Sequence, residues 1–250
     1  LELLAASPMT SLTPAVGHYL ITKQYASIMP QTVSVWSKQL GHKVFYASYY
    51  GQGDPRKLLP DGLDVLFVSC YTQASALGYA LAKLYRKDKT LTVIGGPHAS
   101  SFPRDCLRFF DIVVHQCDKT LISDILRGNF EPNSSVSSGR PLTDIPSVEE
   151  RLPEIKASAF CRGRWPYIST TVPLIASVGC PYTCSFCTDW DSPYALMPLD
   201  RLEGDLRFLS QRLPRVKISF HDPNFAVRFD QTLDVLERVP GPVRSPYIME

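Results

Sequence analysis

Three of the seven cysteines stand close together in one stretch, Gly179-Cys-Pro-Tyr-Thr-Cys-Ser-Phe-Cys187. Cys180 and Cys184 are separated by three residues, and Cys184 and Cys187 by two. Thiolate sulfur is a soft ligand that selects iron–sulfur clusters or zinc, so these side chains could hold a metal centre. A structural zinc site takes four protein ligands, and no fourth Cys or His stands at ligand spacing. The trio therefore favours a cluster with one open iron. Three buried core cysteines, or a zinc knuckle that borrows a remote ligand such as His221, are the alternatives.

The spacing Cys180-x3-Cys184-x2-Cys187, with aromatic Phe186 directly before the last cysteine, resembles the signature of the radical S-adenosylmethionine (SAM) enzymes. The resemblance implies a [4Fe–4S] cluster on the three cysteines, whose open iron chelates SAM. It implies reductive cleavage of SAM to a 5′-deoxyadenosyl radical, with an electron donor such as flavodoxin or ferredoxin as partner. It also implies that Phe186 helps to seat the adenine.

The elements that come before this loop have the pattern of a parallel sheet. Residues 1–128 alternate short apolar runs with amphipathic stretches, as in strands joined by crossover helices. The strands are predicted at Leu1–Ala6, Lys43–Ser48, Val65–Cys70, Leu91–Ile94 and Asp111–Val114. The helices are predicted at Pro30–Leu40, at Ser75–Arg86 and from about Thr120 to Arg127. We therefore expect an α/β domain with a doubly wound, Rossmann-like sheet, which binds ligands at the carboxyl ends of its strands.

Small and polar residues follow the third and fourth predicted strands. With the cysteine motif downstream, they resemble the cobalamin (B12)-binding domain that precedes many radical SAM enzymes. The resemblance implies that cobalamin is bound by Ser69, Thr72, Gly95, Gly96, Pro97 and His98. Two adjacent glycines, which lack a Cβ, also allow a bulky ligand to approach the backbone closely.

The chain departs from the cobalamin-domain pattern in two places. No Asp-x-His-x-x-Gly follows the first strand, and His18 is the only histidine there. Any cobalamin is therefore expected without a protein histidine on cobalt. His115-Gln116-Cys117-Asp118 replaces a Gly-Glu-Gly-Glu turn that often follows the fifth strand. The residues at the rim of the ligand site therefore differ from the usual pattern.

Residues 129–170 have no sustained period and are predicted to be a linker, with an exposed polar stretch at Asn133–Gly139. Residues 171–250 resemble the start of a radical SAM (β/α) barrel, because strand and helix patterns alternate. The strands are predicted at Pro173–Val178 and Arg215–Phe220, with another beginning at Tyr247, and the helices at Leu199–Leu209 and Phe229–Val239. The barrel of a radical SAM enzyme usually has about six such units, so we expect the amino-terminal part of a longer protein, or a barrel that another chain completes.

Asp222 and Asn224 come directly after the second barrel strand, in His221-Asp-Pro-Asn-Phe225. Asp-x-x-Phe at this position resembles a motif of cobalamin-type radical SAM proteins. It implies hydrogen bonds from Asp222 and Asn224 to the amino group of SAM or to a substrate. An Asx-type turn that ends the strand is the structural alternative.

Composition narrows the function class. A net charge of +2 predicts no strong polyanion partner, and no apolar run is long enough to span a membrane. The odd number of scattered cysteines favours a reducing cytoplasm. The hypothesis is a radical SAM enzyme that methylates an unactivated carbon of a small-molecule or peptide substrate with cobalamin. The alternatives are a radical SAM enzyme that does a rearrangement or cyclisation without cobalamin, and a non-catalytic zinc or iron–sulfur module.

Overall fold

The computed structural model describes residues 1–3, 27–51, 53–139, 142–161, 163–166, 170–187, 193–214, 216–239 and 247–249. The chain divides into two compact units. The first is made of Leu1–Ala15 and Met29–Arg140, and the second of Val16–Ile28 and Pro141–Glu250. None of the helices in the described ranges is long and apolar enough to cross a lipid bilayer.

The first unit contains a six-stranded parallel sheet in the order β2-β1-β3-β4-β5-β6. Its strands are β1 (Glu2–Leu3), β2 (Ser48–Tyr49), β3 (Val65–Cys70), β4 (Leu91–Gly95), β5 (Ile112–Val114) and β6 (Ser134–Val136). Helices alternate with the strands, so the predicted Rossmann-like α/β fold is confirmed. The core residues of the central strands are apolar, as expected for parallel strands covered on both faces.

The helices of the first unit are α1 (Ile28–Gln39, whose first residue belongs to the second unit), α2 (Ser75–Arg86), α3 (Pro97–Ser101), α4 (Pro103–Cys106) and α5 (Lys119–Leu126). Helix α2 has the predicted bounds and buries one face that includes Leu81 and Tyr85. The two short helices α3 and α4 were not predicted. Each begins with proline at its first position, where the missing N–H costs no helical hydrogen bond.

Two sequence predictions in the first unit were wrong. The second strand was predicted at Lys43–Ser48 but is β2, at Ser48–Tyr49. The polar stretch predicted as an exposed linker contains β6, which pairs with β5. A strand at the edge of a sheet needs only backbone hydrogen bonds on one side, so its side chains can be small and polar.

The second unit contains a three-stranded parallel sheet in the order β13-β12-β9. Its strands are β9 (Thr171–Leu174), β12 (Lys217–Phe220) and β13 (Tyr247–Met249). Two antiparallel pairs accompany this sheet, β7 (Phe160–Cys161) with β8 (Trp165–Pro166) and β10 (Ser177–Val178) with β11 (Ala195–Leu196). The helices are α6 (Val148–Ala159), α7 (Leu199–Arg212) and α8 (Phe229–Arg238).

Helix α6 lies where the sequence predicted an aperiodic linker, so that prediction was wrong. Ser147 and Glu150 form a capping box at its start, in which each side chain accepts from the other residue's backbone N–H. The helix buries Val148 and Ile155 in the core of the second unit. Its Ser-x-x-Glu signal was present in the sequence, but Pro153 inside the helix interrupts the pattern.

Candidate functional site

The cysteine loop is closed at its base by a short antiparallel pair. Strands β10 and β11 place Val178 opposite Ala195, so the chain leaves at residue 179 and returns at residue 194. All three cysteines of the motif lie between these points. Gly179 has φ +65°, a left-handed conformation that glycine adopts without strain, and begins the loop. Within it, the Cys187 N–H donates to the Cys184 carbonyl oxygen at 3.0 Å.

The loop cysteines differ from the others in accessibility. Cys184 is exposed, and Cys180 and Cys187 are half-buried. By contrast, Cys70 and Cys106 are buried in the first unit. Burial raises the pKa of Cys70 to about 12, which keeps it a protonated thiol at neutral pH. Cys117, outside the motif, is half-buried like Cys180 and Cys187, so among the described cysteines the motif is set apart by the exposed Cys184.

The three loop sulfurs are not yet gathered as a metal site. Among the described side chains, no group of three or more His, Cys, Asp or Glu residues is arranged to hold a metal ion. His221 belongs to no such group with the loop cysteines either. The donor chemistry nevertheless fits a cluster, because thiolates are the usual ligands of iron–sulfur centres. Metal ligands commonly reach their final positions only when the metal binds.

Aromatic side chains of the cysteine loop project into solvent. Phe186, predicted to seat an adenine, is 90% exposed, and Tyr182 is more than half exposed. Phe186 is therefore available for a ligand rather than committed to the core.

Asp222 lies at the carboxyl end of β12, and its carboxylate is almost fully buried, with 6% of the residue exposed. The Ala176 N–H donates to both carboxylate oxygens at 3.1 Å. The Ser177 hydroxyl donates to Oδ1 at 2.7 Å, and the Ser177 N–H donates to the same oxygen. Burial raises the pKa of Asp222 above its usual range, and these hydrogen bonds oppose that rise.

The Asp-x-x-Phe motif thus has a structural basis in the second unit. The Asp222 carboxylate accepts hydrogen bonds from residues 45 and 46 positions earlier in the chain, so it does more than form a local Asx turn. Phe225 is buried and packs on Phe220, with ring centroids 4.8 Å apart. Asn224 remains half-buried, and its side chain makes no cap hydrogen bond to the short 3-10 helix Phe225–Arg228 that it precedes.

The glycine pair of the first unit lies at the end of β4. Gly96 has φ +92° and ψ −176°, a region that is essentially restricted to glycine. A Cβ on Gly96 would lie 3.0 Å from the Ser69 Oγ and 3.3 Å from the Cys70 backbone. The second glycine is therefore explained by packing against β3. Gly95 and Ser69 are half-buried at the same sheet edge, where small residues allow a bulky ligand to approach.

His98 belongs to a hydrogen-bonded network rather than to an open site. The ring is buried, with Nε2 2.7 Å from the Tyr79 hydroxyl and Nδ1 3.3 Å from the Thr72 Oγ1. The Tyr79 hydroxyl donates to the Asp105 Oδ2 at 2.6 Å. Because Tyr79 donates to Asp105, it accepts from the His98 Nε2–H, and Nδ1 accepts from Thr72. Desolvation lowers the pKa of His98, so the neutral ring is favoured.

The predicted cobalamin contacts therefore divide into two groups. Ser69 and Gly95 border the half-exposed edge, and Pro97 is exposed there. Thr72 and His98 bond one another, so His98 is not free to ligate cobalt. Tyr79 and Asp105, which complete the network, were not singled out from the sequence, because their spacing matches no ligand motif. His18 lies outside the described residues.

Comparisons with known proteins give two distant relatives. The chain is 24% identical over 187 residues to the bacteriochlorophyllide d C-12(1)-methyltransferase of Chlorobaculum tepidum, covering 70% of this chain and 39% of that protein. It is 27% identical over 130 residues to the bacteriochlorophyllide d C-8(2)-methyltransferase of the same organism, covering 50% of this chain and 28% of that protein. The chain thus spans well under half the length of either relative. No protein-family model matches the chain.

Proposed function

We propose that this chain carries the cluster-binding part of a radical SAM methyltransferase that acts on carbon. The observation that carries the proposal is the cysteine loop, which places three cysteines, one exposed and two half-buried, within eight residues, Cys180 to Cys187. Burial raises the pKa of Cys70 and Cys106, so their protonated thiols are poor metal ligands. A parallel α/β unit precedes the loop, and a parallel strand delivers it.

The relatives support methyl transfer as the reaction class. Both are named for methylation at carbon positions of bacteriochlorophyllide d. A chlorin-type tetrapyrrole is accordingly the first substrate class to test with this chain. The substrate-specific contacts are expected elsewhere, since the chain covers a minor part of either relative.

The loop residues and Asn224 would each contribute to binding the cluster or SAM. The sulfurs of Cys180, Cys184 and Cys187 would hold a [4Fe–4S] cluster, which supplies the electron that cleaves SAM once an external reductant of the flavodoxin or ferredoxin type has reduced it. Phe186, now in solvent, would cover the adenine and exclude water. Asn224 would offer its side-chain carbonyl to the amino group of SAM, because it is half-buried at the end of β12.

Cobalamin is the proposed second cofactor, and would serve as carrier of the methyl group. Ser69 and Gly95 would border it at the carboxyl edge of the first sheet. His98 would take no part in ligating cobalt, because Tyr79 and Thr72 occupy both ring nitrogens. A radical SAM enzyme without cobalamin remains the second candidate, since Gly96 is already explained by packing against β3.

Anaerobic reconstitution of the 250-residue chain with iron and sulfide tests the cluster. We expect a brown protein whose thiolate-to-iron absorbance is lost in Cys184→Ala. Cys117→Ala is the matched control, because burial raises the pKa of Cys117 to about 12 and its protonated thiol is a poor ligand. A colourless protein that retains zinc, or equal iron loss in both variants, would contradict the proposal.

The second cofactor and the reaction need separate measurements. Mass spectrometry of cobalamin retained by the purified chain distinguishes the two radical SAM hypotheses. SAM cleavage should be assayed on the reconstituted chain with a chemical reductant, and methyl transfer to a chlorin on a protein that covers the full length of the relatives, because the substrate contacts are expected outside this chain. Iron binding without SAM cleavage would reduce the proposal to an iron–sulfur module.

A further inference from the structure

The cysteine loop is attached to the sheet through a two-residue break in a strand. The sequence predicted one strand over Pro173–Val178, but β9 ends at Leu174 and β10 begins at Ser177. At this break the Ala176 carbonyl oxygen accepts from the Met197 N–H at 2.9 Å, which holds the returning end of the loop. The break and the β10–β11 pair together form the neck of the loop, residues 175–178 and 195–197.

The neck turns two backbone N–H groups away from the β9–β12 ladder. A buried N–H group without an acceptor is costly, and the N–H groups of Ala176 and Ser177 both point at Asp222. One carboxylate accepts from both of them and from the Ser177 hydroxyl. Such adjacent N–H groups make a concavity suited to an anion. Here the anion is a side chain of the protein itself.

Asp222 is held at its own position by the sheet. It follows β12 directly, and β12 pairs in parallel with β9 from Lys217 to Phe220. The ladder continues for one residue more, because the His221 N–H donates to the Leu174 carbonyl oxygen at 2.9 Å. The carboxylate is therefore fixed relative to the last residue of β9, and it fixes the neck relative to the sheet.

We propose that Asp222 is a positioning residue that fixes the neck of the cysteine loop, and thereby the point from which Cys180 leaves the sheet. The Asp222 carboxylate contacts neither SAM nor substrate. Oδ1 already accepts three hydrogen bonds and Oδ2 one, and only 6% of the residue is exposed. The role in cluster assembly rests on the proposed function, whereas the anchoring of the neck does not.

Hydrogen exchange of the chain without added metal tests the anchoring alone. Asp222→Ala should speed exchange of the backbone amides from Ala176 to Cys187 by about tenfold or more, because the acceptor is lost. Asp222→Asn keeps one oxygen acceptor and should give an intermediate effect. Amides of β3 and β4 in the first unit should be unchanged. Asp234→Asn, which removes an exposed carboxylate from α8, is the control and should change none of them.

A double-mutant cycle shows whether Asp222 acts through Ser177. Ser177→Ala removes the hydroxyl donor to Oδ1. Its effect on loop exchange should be smaller in the Asp222→Asn background than in the natural chain, because an amide oxygen is a weaker acceptor than a carboxylate. Unchanged loop exchange in a folded Asp222→Asn protein, or full additivity of the two substitutions, would overturn the anchoring. If Asp222→Ala does not fold, the Asp222→Asn and Ser177→Ala pair still decides the question.

The reconstituted chain tests the link to the cluster. Asp222→Asn should retain less iron than the natural chain and give a broadened electron paramagnetic resonance spectrum of the reduced cluster, while Asp234→Asn matches the natural chain. If the natural chain takes up no cluster, the proposed function fails but the exchange result stands. Normal iron content and an unchanged spectrum, with SAM affinity lost in Asp222→Asn, would instead make Asp222 a SAM contact and overturn the proposal.

Discussion

At the residue scale, the chain uses buried polar side chains to fix the loops that follow its strands. In the first unit, His98 links Thr72 after β3 to Tyr79 on α2. In the second unit, Asp222 links the end of β12 to Ser177. Both residues belong to motifs that resemble cofactor-binding sequences, and in both the side chain is engaged within the protein. A motif residue can therefore support a cofactor site indirectly, because its side chain fixes the backbone of the loop that forms the site.

The His98 network predicts a pH dependence of stability. Desolvation lowers the pKa of His98 below its ordinary 6.5, and the charge of Asp105 opposes this shift only in part. The unfolded chain then binds a proton that the folded chain does not, so stability is highest above pH 6.5 and falls as the pH drops below that value. A second proton on the ring also removes the acceptor that Nδ1 offers to Thr72.

The measurement is urea unfolding of the natural chain and of His98→Gln between pH 5 and pH 8. At pH 8 the variant should lose about 1–2 kcal/mol, because two side-chain hydrogen bonds are lost. The difference between the two proteins should shrink towards pH 5. Groups common to both proteins, including Asp222, cancel in that difference. A difference that stays constant with pH would contradict the assignment of a neutral His98.

At the element scale, the turn between β4 and α3 is set by Gly96. Its φ of +92° with an extended ψ is costly for any residue with a side chain, and a Cβ would press on Ser69 and Cys70. Gly96→Ala should therefore cost about 2–4 kcal/mol. Gly41→Ala is the control, since Gly41 has φ +90° but nothing within 4 Å of a Cβ, and should cost about 1 kcal/mol.

Urea unfolding of both variants decides between packing and ligand approach. If both substitutions lower the free energy of unfolding equally, the contact of residue 96 with β3 contributes nothing. Glycine is then required at position 96 only by its backbone angles. Cobalamin retention by Gly96→Ala should fall only in proportion to its loss of folded protein. If the Gly96→Ala variant is folded but no longer retains cobalamin, Gly96 is required for ligand binding.

How far the sequence predicted the elements depends on what stabilises each one. Helix α2 and strand β3 were predicted with their observed bounds, because apolar periodicity and burial coincide there. Strand β6 and the break at Ala176 were not predicted, because backbone hydrogen bonds to distant partners produce them. The cysteine loop was predicted by spacing alone. The roles of Tyr79 and Asp222 depend on contacts across the fold that no local pattern encodes.

At the scale of the whole molecule, each unit has its own hydrophobic core. One core is built from the first unit, including Ile94 of β4, and the other from the second unit, including Ile218 of β12. Both isoleucines are 0% exposed and lie in strands with a parallel neighbour on either side. They offer a matched pair of substitutions, because the same methylene is removed from the same type of environment.

Separate cores predict that heat unfolds the chain in two transitions rather than one. Ile94→Val and Ile218→Val should each cost about 1 kcal/mol, which corresponds to a shift of roughly 4 °C for a unit of this size. Differential scanning calorimetry of the 250-residue chain should show that Ile94→Val lowers only one transition and Ile218→Val only the other. The same assignment identifies which transition a bound cluster raises, and on the proposed function it is the one that Ile218→Val lowers. A single transition that both substitutions lower equally would mean that the two units unfold as one, and the cluster would then stabilise both.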